Sequence, residues 1–452
     1  MRAKTIVDGE ANRRVLVLGG AGYLGSVLVR HLLELGRRVR VLDSFMFGEQ
    51  ALDGVRYHPN LEVVRGDVRD VGVVVRCMRG CDAVIHLAGI VGDPACEENK
   101  ELAVEVNRAA TRMLANVARE CGVRRFIFAS SCSVYGASDF FVNEESVVNP
   151  LSVYSETKID SEGILLAAKT TSFAPTILRF STLFGLSPRM RFDLVANLFV
   201  ARAVFMGSVT VINGDQWRPL LHVQDAARAC IASLEAAAES VSGEVFNVGA
   251  AELNLQIAEL GSVVAQVIPQ VEIATVQTED RRNYRVTFDK IRERLGFACW
   301  KTVESGVREI YDAIRAGLIT DFTTAQFNNQ FALRALVLAG ARQSAPLQKN
   351  TEHSSERGVG HAYPLPARQH SALCRGADFK VAAAFERVHF REFRQRSERC
   401  GVANRENGHR PARRAHHAPR VPRHHRCDRC PDAGISGSAR AVGGGPCLTQ
   451  GG

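Results

Sequence analysis

The chain has 452 residues, of which 46% are apolar, so it is long enough for two or three domains with a sizeable core. No apolar run approaches the roughly 18 residues that a membrane-spanning helix requires, which argues against a membrane protein. The formal net charge is +9, a basic balance whose meaning depends on how it is distributed along the chain.

The positive charge is concentrated towards the C-terminus. Residues 341–452 contain 20 Lys and Arg against 9 Asp and Glu, whereas residues 1–340 contain 37 against 39. The body of the chain is therefore close to neutral. This distribution argues against nucleic acid as a partner of the body.

Seven of the 12 cysteines lie in this body, without the spacing of a disulfide framework. Cys77 and Cys81 share a helix-patterned stretch, and we interpret them as half-buried thiols rather than as a bridge. Free thiols indicate a reducing compartment, so the sequence predicts a cytoplasmic protein.

The first predicted elements are a strand, a glycine-rich turn and a helix. The apolar run at residues 15–18 leads directly into Gly19, Gly22 and Gly25, and residues 26–35 have the pattern of an amphipathic helix. In this context Gly19 permits a tight turn, Gly22 lets the backbone approach a pyrophosphate, and Gly25 lets the helix pack on the strand. The N-terminus of the helix then faces the anion.

The second predicted strand, at residues 39–42, is followed by Asp43. A carboxylate at this position can accept hydrogen bonds from the ribose hydroxyls of an adenosine, and it would repel a 2′-phosphate. The sequence therefore predicts NAD rather than NADP as the cofactor.

Strand-like and helix-like segments alternate up to about residue 180. The strand-like runs lie at residues 39–42, 61–65, 83–87, 126–129 and 176–180, and the main helix-patterned segments at residues 101–121 and 152–168. This alternation predicts an α/β fold, a Rossmann-type doubly wound parallel sheet with helices on both faces. We predict that residues 14–180 form the NAD-binding domain, that a strand near residues 244–248 returns to its sheet, and that residues 181–340 form mainly a smaller C-terminal substrate-binding domain.

Tyr154 and Lys158 are the strongest candidates for catalysis. Their spacing of four residues places both side chains on one face of a helix, one turn apart. A nearby ammonium favours the phenolate, so we expect Lys158 to lower the pKa of Tyr154 from about 10 towards neutrality. Tyr154 would then be a general acid and base.

The segment 341–452 is rich in Arg, His, Ala, Gly and Pro, and it carries 9 of the 13 histidines. It shows no sustained period, and this composition does not favour a packed core. Two interpretations remain open, a disordered basic tail and out-of-frame translation of GC-rich DNA, and we favour the second. Cys427 and Cys430 form a single C-x-x-C without a second pair, so no metal site is predicted.

Six motifs, in the right order over about residues 14–333, resemble the extended short-chain dehydrogenase/reductases. Within that group they resemble the NAD-dependent nucleotide-sugar epimerases and dehydratases. The motifs are the glycine turn with Asp43, Asp67-Val68, His86-Leu87-Ala88-Gly89, Asn107, the run Ser130-Ser131-Cys132-Ser133-Val134-Tyr135-Gly136, and Tyr154 with Lys158.

The resemblance implies roles for individual residues. Tyr154 would exchange the proton of a sugar hydroxyl, Lys158 would hold the nicotinamide ribose, and Ser131 would hydrogen-bond the reacting oxygen; Ser133 is a possible substitute for Ser131. The implied NAD contacts are Gly19, Gly22, Tyr23, Leu24, Gly25, Asp43, Asp67, Val68, Leu87, Ala88, Gly89, Asn107, Tyr154 and Lys158.

The implied substrate contacts are Ser131, Asn197, Arg218 and Arg282. Arg218 lies in a segment like the R-x-x-x-H-V-x-D element of the family, and Arg282 lies near its phosphate-binding arginine, a role that Arg281 could also take. Two guanidinium groups from separate segments suit a diphosphate, because each can bind phosphate oxygens with two hydrogen bonds.

Three departures from the family pattern bear on the reaction. Sugar-nucleotide 4,6-dehydratases carry an Asp-Glu pair where this chain has Cys132 and Ser133, which disfavours a dehydratase. UDP-galactose 4-epimerases place an Asn where this chain has Thr182, and residues 90–94 differ from the commonest epimerases. These differences leave the sugar and the nucleotide open.

The resemblance therefore favours an NAD-dependent nucleotide-sugar epimerase that acts at C4 through a transient 4-keto intermediate. The alternatives are a 4-ketoreductase, dehydrogenase or dehydratase of the same family, and a non-catalytic cofactor-sensing or nucleic-acid-binding protein. The family also implies a homodimer formed through helices such as those predicted at residues 101–121 and 152–168.

Overall fold

The computed structural model describes residues 14–280 and 282–344. Among these residues the strands are β1 (Arg14–Leu18), β2 (Arg38–Asp43), β3 (Leu61–Arg65), β4 (Cys81–His86), β5 (Arg125–Ser131), β6 (Ala137–Val142), β7 (Ala174–Phe180), β8 (Thr182–Phe184), β9 (Ser208–Ile212), β10 (Trp217–His222), β11 (Glu244–Val248), β12 (Asn254–Gln256), β13 (Glu272–Val276) and β14 (Asn283–Val286).

The α-helices among the described residues are α1 (Tyr23–Glu34), α2 (Val71–Met78), α3 (Asp93–Glu98), α4 (Lys100–Ala103), α5 (Ala110–Glu120), α6 (Val153–Ala167), α7 (Val195–Met206), α8 (Val223–Glu235), α9 (Ala238–Val241), α10 (Ile257–Val267), α11 (Asp289–Leu295), α12 (Val303–Arg315) and α13 (Asn329–Ser344). A π-helical stretch, Val104–Ala109, joins α4 to α5.

The main sheet has seven parallel strands in the order β11-β7-β5-β4-β1-β2-β3. Its central strand β1 is buried on both faces because its side chains alternate. Val15 and Val17 pack in the core under α1 and α8, whereas Leu16 and Leu18 pack in the core under α2 and α5. The predicted Rossmann-type doubly wound parallel sheet is confirmed.

The chain after β7 forms smaller sheets beside the main one. Strand β10 pairs with β8 and β12, β9 pairs with β13, and β14 pairs with β6. Strand β11 instead pairs with β7 at the edge of the main sheet. The chain therefore crosses between the two regions more than once, and our assignment of residues 181–340 to a substrate-binding domain stays a prediction.

The last described helix, α13, runs from Asn329 to Ser344, four residues into the segment that the sequence assigns to the tail. The rest of that segment, including Cys427 and Cys430, lies outside the described residues. Within the described ranges, no helix is long and apolar enough to cross a membrane.

Removal of residues 345–452 is expected to leave the melting temperature and the activity unchanged, because the composition of this segment does not support a packed core. Thermal unfolding and turnover of the full chain and of the chain ending at Ser344 provide the comparison. A drop of several degrees after truncation would show that the segment packs on the body.

Candidate active site

A cavity of about 750 Å³ lies at the carboxyl ends of the parallel strands, where ligands bind in open α/β sheets. The predicted site residues that line it are Gly19, Gly22, Tyr23, Leu24, Gly25, Asp43, Asp67, Val68, Leu87, Ala88, Gly89, Ser131, Tyr154, Lys158, Arg218 and Arg282. The fold thus brings together residues from separate loops and both predicted domains. Asn107 and Asn197 are not among the lining residues.

The glycine turn has the backbone geometry that the sequence predicts. Gly19 has φ +82°, and a Cβ at this position would lie 2.7 Å from the backbone nitrogen of Ala88. A Cβ on Gly25 would collide with the carbonyl oxygen of Gly19. Gly22 precedes α1 and supplies no side-chain cap, so the first amide groups of the helix can bind an anion. These features fit the pyrophosphate of a dinucleotide.

The carboxylate of Asp43 is fixed at the end of β2. It accepts hydrogen bonds from the backbone nitrogens of Ala21, at 2.9 Å, and Phe45, at 2.8 Å. Burial raises the pKa of Asp43, and these two hydrogen bonds oppose the increase. The carboxylate therefore also supports the glycine turn, a function that its position in the sequence did not indicate.

Asp43→Ala is expected to weaken NAD binding by about 1–3 kcal/mol, the range for a charge-assisted hydrogen bond. Calorimetric titration of the wild type and the variant with NAD and NADP measures the effect. Asp43→Asn is the milder variant, because it removes the charge and keeps an acceptor for one of the two backbone nitrogens that Asp43 binds. The melting temperature of each variant reports whether the turn is intact. A wild-type protein that prefers NADP would contradict the assignment.

Helix α6 presents the candidate catalytic pair. Ser152 caps its N-terminus in a reciprocal arrangement with Ser155, so the helix begins just before Tyr154. The Nζ of Lys158, one turn later, donates to the carbonyl of Ala129 at 2.8 Å. It lies 5.7 Å from the ring centroid of Tyr154. The two side chains therefore share the cavity-facing side of α6, as their spacing predicts.

Both groups have shifted pKa values, and burial is the main cause in each case. It lowers the pKa of Lys158 to about 8. It raises the pKa of Tyr154 above its ordinary value, while a hydrogen bond with Ser131 and the charge of Arg191 act in the opposite direction. Our prediction of a Tyr154 pKa near neutrality is therefore wrong for this structure, because the cost of burying the phenolate outweighs the nearby groups.

Asn107 lies behind the cavity wall, in the π-helical stretch between α4 and α5. Its Oδ1 accepts from the backbone nitrogen of Ile90 at 2.8 Å, and its Nδ2 donates to the carbonyl of the same residue at 2.9 Å. Nδ2 also donates to Thr157 on α6. Asn107 thus ties the loop after β4 to α6, and a direct contact with NAD stays a prediction.

Asn197 is completely buried at the start of α7. Its Oδ1 accepts from the backbone nitrogen of Gly185, and its Nδ2 donates to the hydroxyl of Tyr23 and the carbonyl of Arg191. The structure therefore gives Asn197 a supporting position behind the cavity, and its predicted substrate contact remains untested.

Arg218 and Arg282 lie together in the wall of the cavity. Nη1 of Arg218 donates to the carbonyl oxygen of Arg282, and both guanidinium groups are near Asp280, at 3.7 Å and 2.6 Å. Two arginines from separate segments thus reach one part of the cavity, and their contact with a diphosphate stays a prediction. Arg281 lies outside the described residues.

The segment after β8 contributes cavity residues that sequence reasoning missed. Arg191 and Asp193 form a buried ion pair with two hydrogen bonds, of 3.0 and 2.9 Å. Arg189 donates to Asn329 of α13 at 2.8 Å and lies 3.8 Å from the ring centroid of Phe47. The sequence did contain a signal for these residues. Arg189, Arg191 and Asp193 are three charged residues within an otherwise largely apolar stretch, and such a cluster suggests a functional site.

A buried polar network, which sequence reasoning also missed, lies next to Ser131. The carboxylate of Glu162, four residues after Lys158 on α6, pairs with Arg179 of β7 at 2.7 Å and accepts from the hydroxyl of Ser130. Arg179 donates further to the hydroxyl of Tyr135 at 2.9 Å. The network joins α6 to β5 and β7, and so fixes the strand end that carries Ser131.

Comparisons with known proteins agree with this geometry. The chain is 27% identical over 320 residues to a UDP-N-acetyl-alpha-D-glucosaminuronate decarboxylase of Bacillus cytotoxicus, an alignment that covers 66% of this chain and 96% of that protein. It is 30% identical over 324 residues to a UDP-glucose 4-epimerase of Streptococcus mutans, covering 66% and 94%.

Among solved structures, the dTDP-glucose 4,6-dehydratase DesIV from Streptomyces venezuelae, with NAD bound, superposes with a TM-score of 0.62. That chain is 28% identical, and the superposition covers 67% of this chain and 97% of DesIV. These relatives perform three different reactions on nucleotide sugars, so identity at this level does not select one reaction for this chain.

The family described as "NAD dependent epimerase/dehydratase family" matches residues 15–249, more than half of the chain. NAD, the cofactor that Asp43 predicts, is the cofactor of this family, and the glycine turn has the close backbone geometry to hold it. The resemblance found in the motifs is thereby confirmed. The chain belongs to the NAD-dependent epimerase/dehydratase family.

Proposed function

We propose that the chain epimerises a nucleotide sugar at C4 through a transient 4-keto intermediate. One observation carries the proposal. A single cavity joins the glycine turn, the Ser131, Tyr154 and Lys158 set, and the pair Arg218 and Arg282. The cavity can thus place a sugar between a cofactor and a diphosphate site.

NAD+, held by the glycine turn, Asp43 and Lys158, would supply a positive charge and a reversible acceptor for the hydride of C4. Tyr154 has to act as the phenolate, which the positive charges of Lys158 and of bound NAD+ would favour against the cost of burial. It takes the proton of the C4 hydroxyl, and Ser131 hydrogen-bonds the same oxygen and orients it. Lys158 keeps the ribose in place and contributes positive charge close to the phenol. Arg218 and Arg282 hold the diphosphate while the keto sugar turns, so that its opposite face meets the cofactor. Tyr154 then returns the proton.

The surroundings of Ser131 favour an epimerase over a 4,6-dehydratase. Cys132 is completely buried, its Sγ donates to the carbonyl of Arg179 at 3.2 Å, and burial raises its pKa to about 12. Ser133 lines the cavity and carries a hydroxyl, which is a far weaker acid than a carboxyl group. Neither side chain can protonate a departing hydroxyl group as an Asp or Glu would.

A substrate panel followed by NMR tests this proposal. UDP-glucose, UDP-galactose, UDP-glucuronate and dTDP-glucose are incubated with the enzyme and NAD, while the absorbance of NADH is recorded. We expect one substrate to reach an equilibrium of C4 epimers without net NADH. Stoichiometric NADH would instead show a dehydrogenase, a 4-keto-6-deoxy product a dehydratase, and release of carbon dioxide a decarboxylase.

A further inference from the structure

An ion pair in the lining of the cavity joins two segments that are far apart in the sequence. Asp93 is the first residue of α3, and Arg282 lies in the loop between β13 and β14. Oδ2 of Asp93 lies 2.6 Å from Nη1 of Arg282, and both residues line the cavity. Asp93 belongs to the segment at residues 90–94 that departs from the common epimerases.

Arg282 has its donors divided between two carboxylates. Asp280 accepts from Nε at 3.0 Å and from Nη2 at 2.6 Å, which occupies one edge of the guanidinium group. Asp93 accepts from Nη1. The proposed function assigns Arg282 to the diphosphate, so the diphosphate has to compete with Asp93 for this donor.

Asp93 itself is anchored from the opposite side. Its Oδ1 accepts from the hydroxyl of Ser152 at 2.7 Å, and Ser152 is the residue that caps α6. The carboxylate therefore keeps a partner when Arg282 leaves. Arg282 is the more exposed member of the pair, with 44% of its side chain accessible against 21% for Asp93. Nη1 of Arg282 is thus the donor that can pass from Asp93 to a ligand, while Arg282 keeps its hydrogen bonds to Asp280.

We propose that the Asp93–Arg282 ion pair is a clasp in the lining of the cavity, and that the diphosphate of the substrate opens it by taking Nη1 of Arg282 from Asp93. Asp93 is then a residue that sets the affinity and specificity for the substrate. A ligand must bring enough negative charge to replace a carboxylate at Arg282, which selects nucleoside diphosphates over uncharged sugars. This inference rests on the proposed function for the role of Arg282.

A double-mutant cycle with UDP and dTDP as probes tests the clasp. Calorimetry on the NAD-loaded protein measures the affinity of the wild type, Asp93→Asn, Arg282→Gln and the double variant. Asp93→Asn keeps an acceptor for Ser152 and is expected to tighten binding about 3–10-fold, because a competing charge has been removed. In the Arg282→Gln background the same change is expected to have no effect.

Glu98→Gln is the matched control, since Glu98 lies on the same helix but pairs with Arg334 instead of Arg282. It is expected to leave the affinity for UDP unchanged. Melting temperature and NAD affinity, measured for each variant, report whether the fold is intact.

The outcomes separate the clasp from the proposed function. Unchanged or weaker binding by a folded Asp93→Asn protein would overturn the clasp alone. Tighter binding that persists in the Arg282→Gln background would also overturn it, since Asp93 would then repel the diphosphate directly. Failure of the wild type and every variant to bind either nucleotide would overturn the proposed function, and the clasp with it.

Discussion

Tyr154→Phe is expected to lower the turnover number by about 10²–10⁴, the usual loss when one positioned acid or base is removed. The change deletes the hydroxyl and keeps the ring, which is buried in the cavity wall with Ile90 and Cys96. The affinities for NAD and for the nucleotide sugar are therefore expected to change little. Steady-state kinetics together with calorimetry separate the two effects.

Tyr135→Phe is the matched control for this change. Tyr135 is also buried, but its hydroxyl hydrogen-bonds Arg179 and Asn247, and it is not a lining residue of the cavity. Loss of the Tyr135 hydroxyl is expected to lower the melting temperature and to leave the turnover number close to that of the wild type. A Tyr154→Phe enzyme with near-normal turnover on its true substrate would contradict the role of Tyr154 in proton transfer, whatever the reaction proves to be.

Lys158→Met is expected to impair both turnover and NAD binding. The Nζ of Lys158 is close to Tyr154 and is assigned to the nicotinamide ribose, so its removal affects proton transfer and cofactor affinity together. We expect a loss of roughly 10² or more in turnover, in line with the loss of a group that assists a general base. Weaker NAD binding distinguishes this variant from Tyr154→Phe, which is expected to bind NAD normally and to lose turnover alone.

Although Lys158→Met is expected to impair turnover and NAD binding, we expect it to stabilise the fold. The pKa of Lys158 is lowered from 10.5 to about 8 in the folded chain, so the unfolded chain binds more protons between those values. The free energy of unfolding of the wild type therefore rises with pH across this window, and the full cost of the buried charge is present below pH 8.

Removing this charge is expected to stabilise the variant by roughly 1–2 kcal/mol at pH 7, after allowance for the lost hydrogen bond to Ala129. The difference should shrink as the pH approaches 10. Denaturant unfolding at pH 7 and pH 9.5 measures it. A Lys158→Met protein that is less stable than the wild type at pH 7 would show that the ammonium stabilises the fold.

The sheet and the cofactor end of the site were predictable because they depend on local patterns. The apolar run of β1, the turn at Gly19 and the position of Asp43 each have a short-range physical cause. The structure buries the run in the sheet and places Gly19 and Asp43 in the lining of the cavity. The spacing of Tyr154 and Lys158 is likewise a property of one helix. Such features can be read without knowing which distant segments come together.

The features that were missed depend on long-range contacts. The link from Arg189 to Asn329 joins residues 140 positions apart, and the link from Asp93 to Arg282 joins residues 189 positions apart. The error in the pKa of Tyr154 has a related cause, since burial is set by the whole fold and not by the spacing to Lys158. Neither the partners nor the burial can be derived from a local pattern.

A substrate labelled with deuterium at C4 tests the central claim most directly. The enzyme, NAD and the C4-labelled nucleotide sugar that the panel identifies are followed by NMR and mass spectrometry. An epimerase that removes and returns the same hydride will keep the deuterium at C4 of the product, with no net NADH. Deuterium that moves to C6, is lost to the medium or remains in free NADH would contradict epimerisation at C4.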